Sequence, residues 1–241
     1  MKISIFGLGY VGCVSGACFA EMGYDVVGVE PNPVKVGLIN EGKSPIVETG
    51  LEALMEKAAS SKKFRATEDW QQAISSTELA IVCVGTPSSG NGSLDLRFVQ
   101  RVAEQIGQAL KNRAGYFTVV IRSTVLPGTV QEVVIPILEQ HSGKRAGADF
   151  GVCMNPEFLR EGTSIHDFHN PPKTVIGELD ARSGEALVEL YKPLPGPVVR
   201  VPIRVAEMVK YVDNNFHALK VTFANEIGNL CKALSIDSHR V

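Results

Sequence analysis

Two carboxylates four residues apart, Glu157 and Glu161, stand in "NPEFLREG", and the later stretch "KYVDNNFHALKVTFANEIG" carries Lys210, Asn214, His217 and Asn225. A carboxylate beside a reacting carbon is where a general acid or base is sought. A cation and an amide donor can stabilise a developing oxyanion where water is excluded. The second stretch has no proline, and its one glycine closes it. Read as a helix turning about 100° per residue, it places Lys210, Asn214, His217, Val221 and Asn225 within roughly 80° of arc. The other face holds Val212, Phe216, Leu219, Phe223, Ile227 and Leu230. The polar stripe is either a solvated face or one wall of a site. Solvated faces favour Glu, Lys, Arg and Gln, which are better helix formers than Asn and His. Glu157 and Glu161 are by the same logic either loop charges or acid–base candidates.

The N-terminal unit bears on that choice. In "KISIFGLGYVGCVSGACFAEMGYDVVGVE", Gly7, Gly9 and Gly12 form G-x-G-x-x-G directly after a strand-like run and at the start of a helix. Gly23 ends that helix and Glu30 closes the next strand. This is the βαβ context of a dinucleotide site, with a tight turn, close backbone approach and a helix N-terminus offering free N–H groups to a pyrophosphate. Glu30 would accept hydrogen bonds from ribose hydroxyls and repel a 2′-phosphate, which favours NAD over NADP. Three later strands end in polar clusters, "VGTP", "RSTVLPGT" and "NPEFLREG". Parallel strands end at one edge of a doubly wound sheet, so Thr86, Thr124 and Glu161 are expected to converge near the nicotinamide.

The elements that must position these residues follow from periodicity. Strand candidates are "ISIFG", "DVVGVE", "LAIVCVG", "FTVVIRS", "FGVCMN", "KTVIGE" and "VVRVP". Helices are expected near residues 11–22, 33–40, 51–60, 96–112, 129–140 and 182–191, with a long one from about 203. Apolar strands alternating with helices predict an α/β, Rossmann-type doubly wound, mostly parallel sheet. The domain edge falls after "YKPLPGPVVRVP", giving a cofactor domain over 1–202 and a long interdomain helix over 203–241. "HDFH", with His166 and His169, reads as a polar loop, not a metal pair. The 241 residues are 44% hydrophobic and 21% charged with net charge −2. That balance argues against a nucleic-acid partner, and no apolar run is long enough to span a membrane. Five cysteines without C-x-x-C or zinc-like spacing imply reduced thiols and a cytoplasmic setting.

The segments "GLGYVG", "GKSPIVETGLEAL", "VCVGTP", "RSTVLPGT", "NPEFLREGTSIHDF" and "AEMVKYVDNNFHALKVTFANEIGN" together resemble the UDP-glucose/GDP-mannose dehydrogenase family along essentially the whole chain. "SPIVE", "NGSLDL" and "HALKVTFANEIGN" favour its GDP-mannose branch. The resemblance implies oxidation of a nucleotide-sugar C6 alcohol to a carboxylate with two NAD⁺, by way of a cysteine thioester. It assigns Tyr10, Val11, Glu30, Lys35, Thr86 and Thr124 to NAD. Glu161 becomes the acid/base, with Thr124 helping to place water. Lys210 and Asn214 would stabilise the oxyanion, while Glu161, Lys210, Asn214, His217 and Asn225 would hold the substrate. A homodimer through the long helix is implied as well. Two positions depart from the family pattern: Glu30 stands where Asp is usual, and Thr49 where Pro is usual.

The family's nucleophilic cysteine lies in a G-G-x-C-x-x-K motif, which these residues do not contain. Cys153 is inside a strand-like run and is no substitute. The chain ends at "SIDSHRV", where Asp237 or Ser238 reads as a helix N-cap, so the expectation is an N-terminal half that binds NAD without turnover. Other readings are a UDP-sugar dehydrogenase, a one-step β-hydroxyacid dehydrogenase (which shares Lys-x-x-x-Asn) and a non-catalytic NAD-binding protein.

Overall fold

The computed structural model describes residues 1–241. Eight strands form one sheet in the order β3-β2-β1-β4-β5-β6-β7-β8. Strands β1 (Lys2–Phe6), β2 (Asp25–Val29), β3 (Phe64–Thr67), β4 (Leu79–Val82), β5 (Thr118–Ile121) and β6 (Gly151–Met154) are mutually parallel. Their near-continuous apolar runs are explained by burial on both faces. Ile3, Ile5, Leu79, Ile81 and Val120 belong to the apolar layer under α1 (Tyr10–Glu21) and α3 (Leu51–Ser60). The alternate residues Phe6, Ala80, Val82, Val119 and Ile121 belong to the layer under α5 (Arg97–Lys111) and α6 (Ile135–Ser142). The period-2 alternation of strands therefore feeds two cores of equal standing.

The structure departs from the expected elements in three places. Strand β3 and helix α4 (Trp70–Ser76) were not legible, because Arg65 is exposed on a four-residue edge strand and α4 spans only two turns capped by Asp69. "HDFH" is not a loop but the core of helix α7 (Ser164–His169). Phe168 is buried there edge-on to Phe19, with ring centroids 5.0 Å apart. The third departure decides where the last helix starts. Strand β7 (Thr174–Glu178) pairs antiparallel with β6, and β8 (Val198–Pro202) runs parallel to β7, so both oppose the other six.

Because β8 is reversed, helix α9 (Ile203–Ala233) begins at the edge opposite the ends of β4, β5 and β6. It must cross the sheet face before reaching them. Gly177 allows this, since a Cβ there would lie 2.5 Å from that of Ala206. Ile203, Ala206, Glu207 and Lys210 are buried in the crossing. Beyond Lys210 most of the helix is exposed on both its polar and its apolar faces. Glu207 fastens the crossing: its fully buried carboxylate accepts the amides of Gly128 at 2.6 Å and Val130 at 2.8 Å. These are free N–H groups at the start of the helical segment that runs into α6.

Candidate active site

The turn after β1 is built for close approach. Gly7 has φ +89°, and a Cβ on Gly12 would sit 2.0 Å from the Gly7 carbonyl oxygen. Gly9 is different: a Cβ there would meet no atom within 4 Å, so no contact within the chain demands glycine at that point. It is the N-cap of α1 and supplies no side-chain hydrogen bond, which leaves the first-turn amides facing the cleft. That cleft holds about 280 Å³ and is lined by Gly9, Tyr10, Val11, Thr86, Thr124 and Glu157, among others. Open space over Gly9 beside free helix-terminal amides fits a pyrophosphate-bearing cofactor.

Glu30 is 7% exposed and accepts the Leu8 amide at 3.0 Å and the Asn32 amide at 3.2 Å. It braces the glycine turn from below, a role that reading Glu30 as a ribose acceptor did not anticipate. Lys35, half-buried, stands in the first turn of α2 (Pro33–Asn40), capped by Asn32. At the other end of the cleft the Thr86 hydroxyl donates to the Thr124 carbonyl at 2.7 Å. Ser123 Oγ donates to the Val84 carbonyl at 2.6 Å, so the ends of β4 and β5 are tied together. A buried trio extends the tie to β6 and to α8 (Ala181–Tyr191): Arg122 donates to Asn155 Oδ1 at 2.6 Å and to Tyr191 at 3.0 Å. Tyr191 also donates to Asn155 Oδ1, at 2.6 Å.

A second cleft of about 630 Å³ opens beside the first, between the "NPEFLREG" loop and α9. Glu161, Lys210, Asn214 and His217 all line it, so the structure brings together four of the five residues expected to hold substrate. Asn225 is not among them. It lies exposed on α9, about 12 Å beyond His217 along the axis at 1.5 Å per residue. Lys210 joins the two clefts. Its Nζ lies 2.8 Å from Glu157 Oε1 and 2.5 Å from the Glu157 carbonyl oxygen, with only 7% and 12% of the two side chains exposed. Glu157, read above as one of two equivalent carboxylates, is thus the partner of Lys210. Glu161 is exposed, and no hydrogen bond holds its carboxylate.

The cysteines are free. Cys153 is fully buried with Sγ 3.1 Å from the Ser183 carbonyl oxygen. Burial, then the charges of Glu178 and Asp180, push its pKa far above the ordinary thiol range. Cys83, at the cleft, is pushed up to about 12, chiefly by burial. Neither is poised as a nucleophile.

Sequence reasoning missed Glu48, Arg122, Asn155, Tyr191 and Glu207. Arg122 and Asn155 carried a signal, each as the polar residue closing an apolar strand. The others act through contacts between distant segments.

Residues 1–195 match the NAD binding domain of the UDP-glucose/GDP-mannose dehydrogenase family, and residues 204–241 match its central domain. The chain is 56% identical, over all of its 241 residues, to GDP-mannose 6-dehydrogenase of Pseudomonas savastanoi pv. phaseolicola. It superimposes with TM-score 0.98 and 52% identity on a ternary complex of GDP-mannose dehydrogenase from Pseudomonas aeruginosa. A UDP-glucose dehydrogenase from the archaeon Pyrobaculum islandicum follows at TM-score 0.94, with 40% identity over 99% of this chain and 55% of its own. The chain spans 55% of the length of each Pseudomonas protein. Its glycine turn, acidic second strand and polar strand ends form the NAD-binding domain of the UDP-glucose/GDP-mannose dehydrogenase family, to which the chain belongs.

Proposed function

We propose that this chain is the cofactor-binding part of an NAD-dependent GDP-mannose 6-dehydrogenase, which oxidises the sugar C6 alcohol to a carboxylate. Two hydrides pass to two NAD⁺, water supplies the second oxygen and the remaining protons go to solvent. The observation that supports this most is the junction of the two clefts at Glu157 and Lys210. One cleft has the free amides and open glycine that suit NAD, and the other has the polar groups that suit a sugar nucleotide.

NAD supplies the hydride acceptor when bound. Gly7, Gly9 and Gly12 leave room for its pyrophosphate, Glu30 and Lys35 stand at the ribose end, and Tyr10, Val11, Thr86 and Thr124 line its path. Lys210 and Asn214 are assigned to the oxygen on C6, where positive charge and an amide donor stabilise developing negative charge. Glu161 is the acid/base group for thioester hydrolysis, with Thr124 helping to place water. His217 contacts the substrate, and Asn225 serves a ligand that extends along α9. The aldehyde-capturing cysteine comes from outside these residues.

Met208, Val212, Phe216, Leu219, Phe223 and Leu230 are all more than half exposed on α9, which supports a homodimer formed along this helix. No helix is long and apolar enough to cross a membrane, and the site reached by these substrates is proposed to be cytoplasmic. The proposed domain edge lies between β8 and α9, near residue 202. The test is NADH yield from the intact protein with GDP-mannose and with UDP-glucose. Two NADH per GDP-mannose are expected. A yield only with UDP-glucose would move the assignment to UDP-sugars, and one NADH per substrate would favour a one-step dehydrogenase.

A further inference from the structure

Glu48 lies outside both clefts, in the connection between α2 and α3, yet its carboxylate collects donors from both sides of the site. Oε2 accepts the Tyr10 hydroxyl at 2.7 Å and the Gly162 amide at 2.8 Å, and Oε1 accepts the Ser164 amide at 3.0 Å. Tyr10 opens α1 next to Gly9, Gly162 follows Glu161, and Ser164 is the first residue of α7. Thr163, the N-cap of α7, makes no side-chain cap, so Glu48 caps that helix from more than 100 residues away in sequence. The neighbouring Val47 is 99% exposed, so this stretch is held by the hydrogen bonds of Glu48 and by Ile46, not by burial of Val47.

We propose that Glu48 is a positioning residue that presents Glu161 to the substrate and ties that presentation to the first turn of the cofactor helix. Glu161 has no hydrogen bond of its own, so its place is set by its backbone. From outside the turn that backbone is held by Asp167 on the Arg160 amide and guanidinium, by Glu48 on Gly162 and Ser164, and more weakly by the Tyr10 hydroxyl, which also reaches the Arg160 carbonyl at 3.4 Å. Burial raises the Glu48 pKa, but hydrogen bonds from Tyr10, Gly162 and Ser164 outweigh it and leave the carboxyl below its ordinary value. The same contact pushes the Tyr10 phenol up to about 12, after burial. Glu48 is therefore ionised at neutral pH and holds its three donors as charge-assisted bonds.

The proposal rests on the dehydrogenase reading for its catalytic consequence but not for the contact itself, and the experiment separates the two. Amide exchange is measured for residues 159–165 in wild type, Glu48→Ala, Glu48→Gln and Tyr10→Phe. Steady-state kinetics are measured on the intact protein with NAD and GDP-mannose. E48A is expected to speed exchange at Gly162 and Ser164 about tenfold or more while the amides of β1, β4 and β5 keep their protection. It is expected to lower kcat about 10- to 100-fold with the KM for NAD changed less than about threefold, as misplacement of one catalytic group does. E48Q, which keeps one acceptor and the shape, should recover part of the loss. Y10F, which removes one hydroxyl, should lose less than E48A and keeps the test open if E48A does not fold. Unchanged exchange in E48A, or faster exchange with unchanged kcat, would overturn the proposal. If wild type forms no NADH from any nucleotide sugar, the functional reading falls and the exchange comparison alone decides the role of Glu48.

Discussion

Removing either partner of the Glu157–Lys210 pair tests the junction of the two clefts directly. The side chains are 12% and 7% exposed and their charges are 2.8 Å apart, so each is held mainly by the other. Lys210→Met leaves Glu157 Oε1 without its cation, although Oε2 keeps the Leu159 amide at 2.8 Å. Breaking a buried pair from one side costs about 3–5 kcal/mol, because the remaining charge stays desolvated and uncompensated. In a chain of this size each kcal/mol moves Tm by about 2–4 °C, so K210M should melt about 6–20 °C lower than wild type. Glu157→Gln should fall at the lower end, since Lys210 keeps the carbonyl oxygen of residue 157. The double variant buries no charge, and its loss should be smaller than the sum of the two single losses by about 2–3 kcal/mol. The assay is urea unfolding followed by circular dichroism, with equal m values as the condition for comparing ΔG. Single losses that add to within about 0.5 kcal/mol would refute the coupling, and with it the view that α9 is seated in the site by this pair.

Two further predictions use contrasts within the site. Gly9→Ala should leave Tm within about 2 °C of wild type, since its Cβ meets nothing, yet weaken NAD binding about tenfold or more by calorimetry. Gly12→Ala should lose both stability and NAD binding, because its Cβ falls on the Gly7 carbonyl. Wild-type affinity in G9A would remove NAD from this cleft. The other contrast is in pH. Burial raises the folded-state pKa of Glu207, so its contribution relative to Glu207→Gln is fully present below the unfolded value and declines as pH rises through the folded one. Asp167 is lowered, first by its hydrogen bond with Arg160, so its contribution is present above the unfolded value and lost as pH falls through the folded one. Thermal melts from about pH 3 to 8 should therefore show E207Q and D167N diverging from wild type with opposite slopes, and slopes of the same sign would contradict the assignment.

The parts of this site readable from sequence are those whose cause is local. Gly7 needs a left-handed turn and Gly12 the absence of a Cβ against the residue five positions earlier, and both requirements sit inside one six-residue span. Thr86 and Thr124 follow strands whose apolar runs are unmistakable, so the cleft they share follows from parallel pairing alone. Glu161, expected beside them, lines the neighbouring cleft, and Glu157 stands with the two threonines instead. Glu48, Arg122 and Glu207 stand in segments that carry the family resemblance, but nothing local to them gives their role. Each is an ordinary charged residue in sequence, and each acquires its role from partners 33 to 116 residues away. Asn225 marks the opposite limit. The helical period correctly puts it on the face of Lys210, but a period fixes angle and says nothing of how far along the axis a cleft extends.

The reversal at β7 is the step that turns a cofactor domain into a site with two clefts. Had β7 and β8 continued the parallel order, α9 would start at the active edge and leave it at once, with Lys210 roughly 10 Å beyond the strand ends. With both strands reversed, α9 starts at the far edge, and its first two turns are spent against the sheet, seated by Gly177 and locked by Glu207. Lys210 then emerges beside the loop after β6, already buried, with Glu157 opposite. The long helix can project for some 20 further residues without loosening the cation at its base, because the position of Lys210 depends on contacts that lie before it in the chain. Truncating the exposed half of α9 after about residue 218 should on this argument leave the K210M penalty unchanged. A penalty that disappeared on truncation would show that the outer helix, not the crossing, holds Lys210 in place.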